Sequence, residues 1–339
     1  MVYKFIILRN VLNTSRKLNT LLSILITILL ILFVASPKEN MEACINGLLV
    51  WATSVAPALF PFLIFTKLLS ELKLIEKISK YLYPITSKLF HTSGISAYVY
   101  MMSVLSGYPV GAKLTADLYE HNVISKNEAN RIVTFTSTSG PLFIIATVGI
   151  GMLHSEKVGI IILISHFVGA LLNGLLYRNY KYNKSTTINI ANYPTNNSEN
   201  ILEDIMVNSI KSILIIGGYV SIFFVIITML NNFNILYPIK YILTYIFQFL
   251  HIPTSTITPI LNGIIEVTRG CLDLSTISIS PTLLTAIATF LISFGGLSIH
   301  MQSLTFIKKF DIKLSFYFFQ KFTHAIISTM IAVFICLLT

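Results

Sequence analysis

Four short stretches rich in glycine and hydroxyl residues interrupt the apolar segments of this chain, two in each half. The first half carries 106–113 and 136–142, and the second half carries 266–271 and 294–302. Pairing Gly111 with Gly270 gives an offset of 159 residues, and pairing Gly140 with Gly295 gives 155. Lipid excludes irregular backbone unless protein or a wet cavity surrounds it. Breaks at corresponding positions of two halves therefore predict a transporter that binds its solute there.

The first of these stretches has the chemistry of an anion site. Proline lacks an N–H group and glycine adopts unusual dihedral angles, so a helix stops and restarts between Gly107 and Gly111. The restarted helix exposes amide groups that carry a partial positive charge. Lys113 adds a full positive charge, unless it forms an ion pair with Asp117 one turn later. For the whole stretch, the alternative is a helix kink that serves only packing. The candidate residues are Gly107, Tyr108, Pro109, Val110, Gly111 and Lys113.

The second stretch offers oxygen atoms. Pro141 cannot continue the helix hydrogen bonding, so carbonyl groups become free beside several hydroxyl groups. Hydroxyl groups that bond back to their own helix are the alternative for Thr136 and Thr138. The candidate residues are Thr138, Ser139, Gly140 and Pro141.

The second half repeats the pattern and adds charge. Glu266 and Arg269 lie deep in an apolar segment, where charged side chains are costly and are either functional or paired with each other. The planar guanidinium of Arg269 matches the geometry of a carboxylate. The candidate residues are Glu266, Thr268, Arg269, Gly270, Gly295, Gly296, Ser298, His300 and Gln302. We assign His166, Lys321 and His324, which lie in other segments, to packing or snorkelling.

The composition is that of an integral membrane protein. Hydrophobic residues make up 54% of the 339 residues, and charged residues make up 11%. The net charge of +10 comes from residues between apolar segments, so membrane orientation explains it better than nucleic acid does. The three cysteines are far apart and are expected to pack as small apolar residues, without a disulfide or a metal. Because the sequence offers no catalytic constellation and no cofactor motif, we predict that it is not an enzyme.

The basic residues decide how the apolar segments are arranged. The segments are 18–35, 43–70, 94–121, 129–153, 157–178, 205–231, 256–279, 281–306 and 314–338. If all of them crossed the membrane, Lys126, Arg131 and Arg178 would lie outside, against the positive-inside rule. If 94–121 and 256–279 are re-entrant hairpins instead, most basic residues become cytoplasmic, together with the N-terminus. The hairpin arrangement is therefore the prediction.

The predicted fold is an all-α polytopic membrane protein with inverted-topology repeats. Each repeat has an interfacial helix, a re-entrant hairpin and a broken transmembrane helix, and the interfacial helices are 71–90 and 235–250. An odd number of crossings inserts the second half upside-down, so both hairpin tips meet near the midplane. The predicted units are an N-terminal transmembrane helix (1–40), a first repeat (41–178), a cytoplasmic linker (179–200) and a second, inverted repeat (201–339). A capping box from Ser125 to Glu128 begins the first broken helix.

These motifs resemble the YlbJ (SpoVV) family of sporulation integral membrane proteins. Proteins of this family carry a nucleoside-recognition (Gate) domain related to concentrative nucleoside transporters. The resemblance extends over most of the chain from about residue 40, makes 41–178 a first Gate-like repeat, and leaves the linker and C-terminus shorter than in many relatives. The matching residues are 106–115, Glu128, Ala129, Phe135, 138–143, Glu266, Thr268, Gly270, 294–296, Ser298, His300 and Gln302.

The resemblance implies a protein of the outer forespore membrane that moves dipicolinate from the mother cell towards the forespore. Dipicolinate is a flat dianion that suits helix N-termini, Lys113 and Arg269, so we expect Arg269→Ala to abolish its accumulation without preventing insertion. The expected partners are a small anionic substrate and the lipid bilayer, without nucleic acid, and a homo-oligomer is compatible with the sequence. A transporter of nucleosides or of another small metabolite, and a non-transport scaffold for spore assembly, stay open as alternatives.

Overall fold

A computed structural model describes residues 2–71, 74–182 and 200–339, and every element in these ranges is a helix. The first half contains α1 (Val2–Ala35), α2 (Pro37–Val50), a π-helical turn (Trp51–Val55), α3 (Ala56–Glu71), α4 (Leu74–Leu89), α5 (Ile95–Ser106), α6 (Val110–Glu120), α7 (Lys126–Thr136), a π-helix (Phe143–Met152) and α8 (Glu156–Leu176). The second half contains α9 (Ile201–Asn232), α10 (Tyr237–Phe249), α11 (Ile257–Ile265), α12 (Val267–Ser275), α13 (Pro281–Phe294), α14 (Leu297–Ile307) and α15 (Leu314–Leu338), with short 3₁₀ turns at Thr254–Thr256 and Lys308–Phe310.

Several helices are long and apolar enough to cross a membrane. Within the described residues there are five such stretches, which are Pro37–Phe65, Glu156–Leu176, Ile201–Asn232, Pro281–Phe310 and Leu314–Leu338. Shorter apolar helices occupy Asn19–Ala35, Ile95–Ser106 and Phe143–Met152. The predicted all-α polytopic fold is therefore confirmed.

The helices are interrupted where the glycine-rich stretches predict it. The segment 94–121 divides into α5 and α6, and the segment 256–279 divides into α11 and α12. The helices α11 and α12 have nine residues each, and such a helix is only ~14 Å long, less than half of a hydrocarbon core. These helices come in pairs that turn within the protein.

Helices α4 and α10 occupy the two segments predicted to be interfacial, and their position at a membrane surface stays a prediction. No residue of α10 is buried, and tyrosine side chains line its exposed surface, as membrane–water interfaces favour. The part of the prediction that concerns Leu72 and Lys73 falls outside the described residues. The same is true of 183–199, which make up most of the predicted linker.

Both halves have the same order of elements, and equivalent elements pack on each other. Each half proceeds through a long helix, a helix predicted to be interfacial, a helix pair, a broken helix and a last long helix. The opening helices α2 and α3 pack along α9, and the closing helix α8 packs along α15. One apolar core joins the two halves and includes Val148 and Ile162 from the first half and Leu291 and Ile292 from the second.

Contacts at the ends of the bundle fix the direction of each segment. Lys126 at the start of α7 bonds to Asp311 before α15 at 2.5 Å, and Glu120 at the end of α6 bonds to Lys309 at 2.8 Å. Lys157 at the start of α8 donates instead to the carbonyl oxygen of Thr339, after α15, at 3.4 Å. The helices α8 and α15 therefore run in opposite directions. Inverted insertion of the two halves in a membrane requires this arrangement and stays a prediction.

The outer ends of α5 and α6 lie at the same end of the bundle. Arg131 of α7 donates from Nη2 to the carbonyl oxygen of His91, just before α5, at 3.0 Å. The predicted capping box is half formed, because the Ser125 hydroxyl accepts from the Glu128 amide at 3.2 Å. The Glu128 carboxylate does not bond back to Ser125 but accepts from the Ser93 amide at 2.6 Å. This second bond ties α7 to the base of the α5–α6 pair.

Candidate functional site

All four interrupted stretches meet at one cavity in the middle of the bundle. The cavity holds about 480 Å³ of empty space, including its opening to solvent. Its polar lining comes from the breaks of both halves, with Gly107, Tyr108, Ser139 and Gly140 from the first and Glu266, Thr268, Ser298 and Gln302 from the second. Its apolar lining is Val55, Leu59, Phe143, Ile216, Val220, Val267 and Ile299. Eight of the residues predicted from sequence are thus brought together.

The first hairpin tip, Gly107–Gly111 between α5 and α6, packs directly on the first broken helix, which consists of α7 and the following π-helix. Gly107 has a φ of +73°, which a side chain would strain, and a Cβ there would lie 2.8 Å from the Gly140 amide nitrogen. A Cβ on Gly111 would lie 1.9 Å from the carbonyl oxygen of Thr136. The Ser103 hydroxyl donates to that same carbonyl oxygen and bonds the Thr138 hydroxyl at 2.9 Å. The freed carbonyl group is therefore satisfied inside the protein rather than in the cavity.

The second hairpin tip is organised by Glu266. Its backbone is extended, with φ −144° and ψ 116°, and its carboxylate accepts the Arg269 amide at 2.8 Å, which caps α12. The same carboxylate accepts the Thr268 hydroxyl, and the Ser298 hydroxyl lies at 3.5 Å. Because Glu266 itself occupies the N-terminus of α12, this helix end is not free for an anion.

Arg269 does not neutralise Glu266. Its Nε donates to Asp273 Oδ1 at 3.0 Å, and its guanidinium lies 5.6 Å from the centre of the Phe224 ring. The alternative in which the two charges pair at the tip is therefore not observed, because Glu266 accepts from neutral donors and Arg269 donates to the carboxylate one turn later. In this conformation Arg269 is half-buried and does not line the cavity.

Two other helix N-termini do open at the cavity. Gly295 adopts a left-handed conformation with φ +80°, and α14 begins after Gly296 without a side-chain cap. Ser298 and Ile299 in its first turn line the cavity. In the first half the helix resumes after Gly140, and Gly140 and Phe143 line the same cavity. The amide groups of both first turns carry the partial positive charge that favours anions.

The remaining predicted residues lie around this cavity rather than in its wall. Lys113 is exposed, and among the described residues the alternative, an ion pair with Asp117, does not form. His300 is buried, and its Nδ1 bonds the Tyr317 hydroxyl at 3.1 Å. Gly270 packs backbone to backbone on Gly263, where a Cβ would lie 2.3 Å from Cα. The other predicted residues outside the lining are Pro109, Val110, Gly111, Thr138, Pro141, Gly295 and Gly296.

Lys321 has a position that differs from the packing or snorkelling role that its sequence context predicts. The side chain is fully buried, so it does not snorkel. Its Nζ donates to the Tyr108 hydroxyl at 2.6 Å and to the carbonyl oxygen of Ser137 at 3.0 Å. The last long helix of the second half therefore reaches both breaks of the first half.

His166 joins the two broken helices. Its Nε2 accepts the Ser139 amide at 2.9 Å, and its Nδ1 bonds the Ser293 hydroxyl at 2.8 Å. His324 bonds the carbonyl oxygen of His166 through Nε2 at 3.0 Å, and the two rings lie 4.9 Å apart. The offset between the two histidines is 158 residues, which lies between the offsets of 155 and 159 found for the paired glycines. The equivalence of His166 and His324 could therefore be recognised from the sequence.

Comparisons with known proteins agree with this architecture. The fold is that of a polytopic all-α membrane protein. Residues 52–156 match a family model, Gate, that is described as nucleoside recognition. This match contains the first helix pair and the first broken helix. Sporulation integral membrane protein YlbJ of Bacillus subtilis (strain 168) is 29% identical over an alignment of 342 residues, which covers 95% of this chain and 83% of the relative. The resemblance predicted from the motifs is therefore confirmed, and no solved structure matches.

Proposed function

We propose that this protein is a membrane transporter for a small anionic metabolite, with dipicolinate as its solute. The observation that supports the proposal is the cavity at which the interrupted segments of both halves meet. Transporters bind solutes between their repeats, beside discontinuous helices whose N-termini point at anionic groups. The similarity to a sporulation membrane protein agrees with a solute needed in sporulation.

The lining suits a flat ring with acidic substituents. Phe143, Ile216 and Val220 provide apolar walls, as ligand cavities commonly do. The hydroxyl group of Ser139 and the two open helix N-termini provide hydrogen-bond donors. Dipicolinate combines a planar ring with two carboxylates, so both kinds of surface have a counterpart in it.

Uptake of labelled dipicolinate into proteoliposomes tests the proposal. Wild-type protein should accumulate the label above empty vesicles, and Gln302→Leu should reduce uptake because it removes a polar group from the lining. Gly218→Ala is the matched control, because a Cβ at Gly218 meets no atom within 4 Å. Arg269→Ala belongs in the same series, with loss of uptake as the prediction. Wild-type uptake no greater than that of empty vesicles would contradict the proposal.

A nucleoside is the second candidate solute, and Glu266 is the observation that favours it. A buried carboxylate in the wall accepts hydrogen bonds from hydroxyl and N–H groups and repels an anion. Competition binding with dipicolinate and uridine separates the two candidates. Glu266→Gln should weaken the binding of uridine, whereas it should leave the binding of dipicolinate unchanged or stronger.

We further propose that the protein lies in the outer forespore membrane, as the resemblance implies, with its N-terminus in the cytoplasm, as the distribution of basic residues predicts. A fluorescent fusion followed during sporulation tests this location. A scaffold that only recruits partners is the non-transport alternative, and it needs no cavity. In that case Gln302→Leu spores would contain as much dipicolinate as wild-type spores.

A further inference from the structure

Lys321 is a buried basic residue beside the cavity for which the described residues supply no carboxylate. The ion pairs among these residues are Lys126–Asp311, Arg269–Asp273 and Lys309–Glu120, and none includes Lys321. The residue lies seven positions after the start of α15, or ~10 Å along the helix. A charged side chain at such a depth is costly and marks a functional position by default.

The contacts of Lys321 point to the cavity. Its Nζ lies 2.6 Å from the Tyr108 hydroxyl and 4.7 Å from the centre of the Tyr108 ring, and Tyr108 is part of the lining. The ammonium group has only N–H donors, so the tyrosine oxygen accepts from it. The phenolic proton of Tyr108 is then free to donate elsewhere, and donation to an anion is strengthened by the charge behind it.

None of the described residues that line the cavity is basic. Lys113 is exposed, and Arg269 is bound to Asp273. Lys321 is one hydrogen bond away from Tyr108 of the lining, and none of the ion pairs among the described residues binds it to a carboxylate. The neighbouring groups His300 and His324 interact with it electrostatically and, as imidazoles, do not supply a negative charge.

We infer that Lys321 is the positioning residue that makes the cavity selective for an anion, acting through the Tyr108 hydroxyl. The solute supplies the negative charge that Lys321 lacks, and Tyr108 carries the hydrogen bond between them. This inference rests on the proposed function, because it specifies how a transported anion is recognised.

Binding measurements with two probes of equal shape test the inference. Dipicolinate carries two carboxylates, and pyridine-2,6-dicarboxamide is its neutral counterpart. Lys321→Met should weaken dipicolinate binding by about tenfold or more, because a charged partner of the solute is lost, and should leave dicarboxamide binding within about twofold. Lys321→Arg should restore much of the preference for the anion, since it restores the charge. Lys157→Met, at an exposed lysine, is the control and should bind both probes as the wild type does.

Tyr108→Phe keeps the inference testable if Lys321→Met does not fold. It removes one hydroxyl group and leaves the bond from Lys321 to Ser137 in place, so it should also shift binding towards the neutral probe. Equal losses for both probes in folded variants would mean that the lysine is only structural and would overturn the inference. Unchanged dipicolinate binding in Lys321→Met would also overturn it. A wild-type protein that binds no dipicolinate would instead overturn the proposed function.

Discussion

The two hairpin tips meet at one cavity but are held there in different ways. The first tip depends on other parts of the chain, because Gly107 packs on Gly140 and Tyr108 is bonded by Lys321 of α15. The second tip also packs on a broken helix, since a Cβ on Gly296 would lie 3.1 Å from the Val267 amide nitrogen, but its own helix pair provides further support. Glu266 caps its own helix α12, and Gly263 and Gly270 bring the two arms of the pair into backbone contact.

Their chemistry differs as well. The repeat offset of 159 aligns Gly107 with Glu266 and Tyr108 with Val267, so the first tip offers a hydroxyl group and the second a carboxylate. At the offset of the two histidines, 158, the position equivalent to Lys321 is Leu163. The two halves thus share one order of elements, while different residues at the two tips give the cavity a donor side and an acceptor side.

The largest expected effect concerns the direction of the two halves. The contacts of Lys126 with Asp311 and of Lys157 with Thr339 lie at opposite ends of α15. If α15 crosses the membrane, the two lysines lie on opposite sides. In a background without Cys44, Cys271 and Cys336, Lys126→Cys and Lys157→Cys should be labelled by an impermeant maleimide from different sides. Labelling of both cysteines from the same side would contradict this prediction, because the two tips would then not enter from opposite faces of the membrane.

The glycines of the two tips allow a comparison of their packing. Gly111→Ala and Gly270→Ala both place a methyl group where backbone atoms lie within 2.3 Å. Overpacking of this kind costs about 1–3 kcal/mol, so both melting temperatures in detergent should fall clearly. Gly218→Ala is the control, since its methyl group meets no atom within 4 Å and removes helix flexibility, which gives a small gain. A melting temperature of Gly111→Ala equal to that of the control would contradict the tight contact.

The equivalent histidines should differ in importance. His166→Phe leaves the buried Ser139 amide without its acceptor and also removes the bond to Ser293, so a loss of about 1–3 kcal/mol is expected. His324→Phe removes a bond to a helical carbonyl group, with a loss of about 0.5–1.5 kcal/mol. Chemical denaturation of both variants measures the difference. Equal losses would show that the bridge between the broken helices adds no stability of its own.

Much of the fold follows from local sequence. Breaks at Gly107–Gly111 and Glu266–Gly270 could be predicted because proline, glycine and an isolated charge interrupt a helix by short-range physics. The bond from Arg269 to Asp273 was also within reach, since residues four apart on a helix are neighbours.

The position of Lys321 could not be predicted in the same way. Helical periodicity gives the direction of a side chain around its own axis and does not identify the neighbouring helix. The bond to Tyr108 joins residues 213 positions apart, and it exists only because α15 packs beside the first hairpin tip. The apolar lining residues could not be predicted for a related reason. Leu59 and Ile216 are of the same residue types as side chains that face lipid, so sequence alone does not distinguish the two groups.

The smallest effect is expected at the end of the bundle, away from both tips. The hydrogen bond from Lys126 lowers the pKa of the Asp311 carboxyl, so the pair adds stability above the ordinary carboxyl pKa of 3.8 and loses it as the pH falls through the lower, folded value. Both side chains are exposed, at 42% and 86%, and solvent and salt screen their attraction. Asp311→Asn should therefore leave the melting temperature at pH 7 within experimental error, at low and at high salt. A large decrease would mean that the ends of the bundle, rather than the contacts at the tips, hold the two halves together.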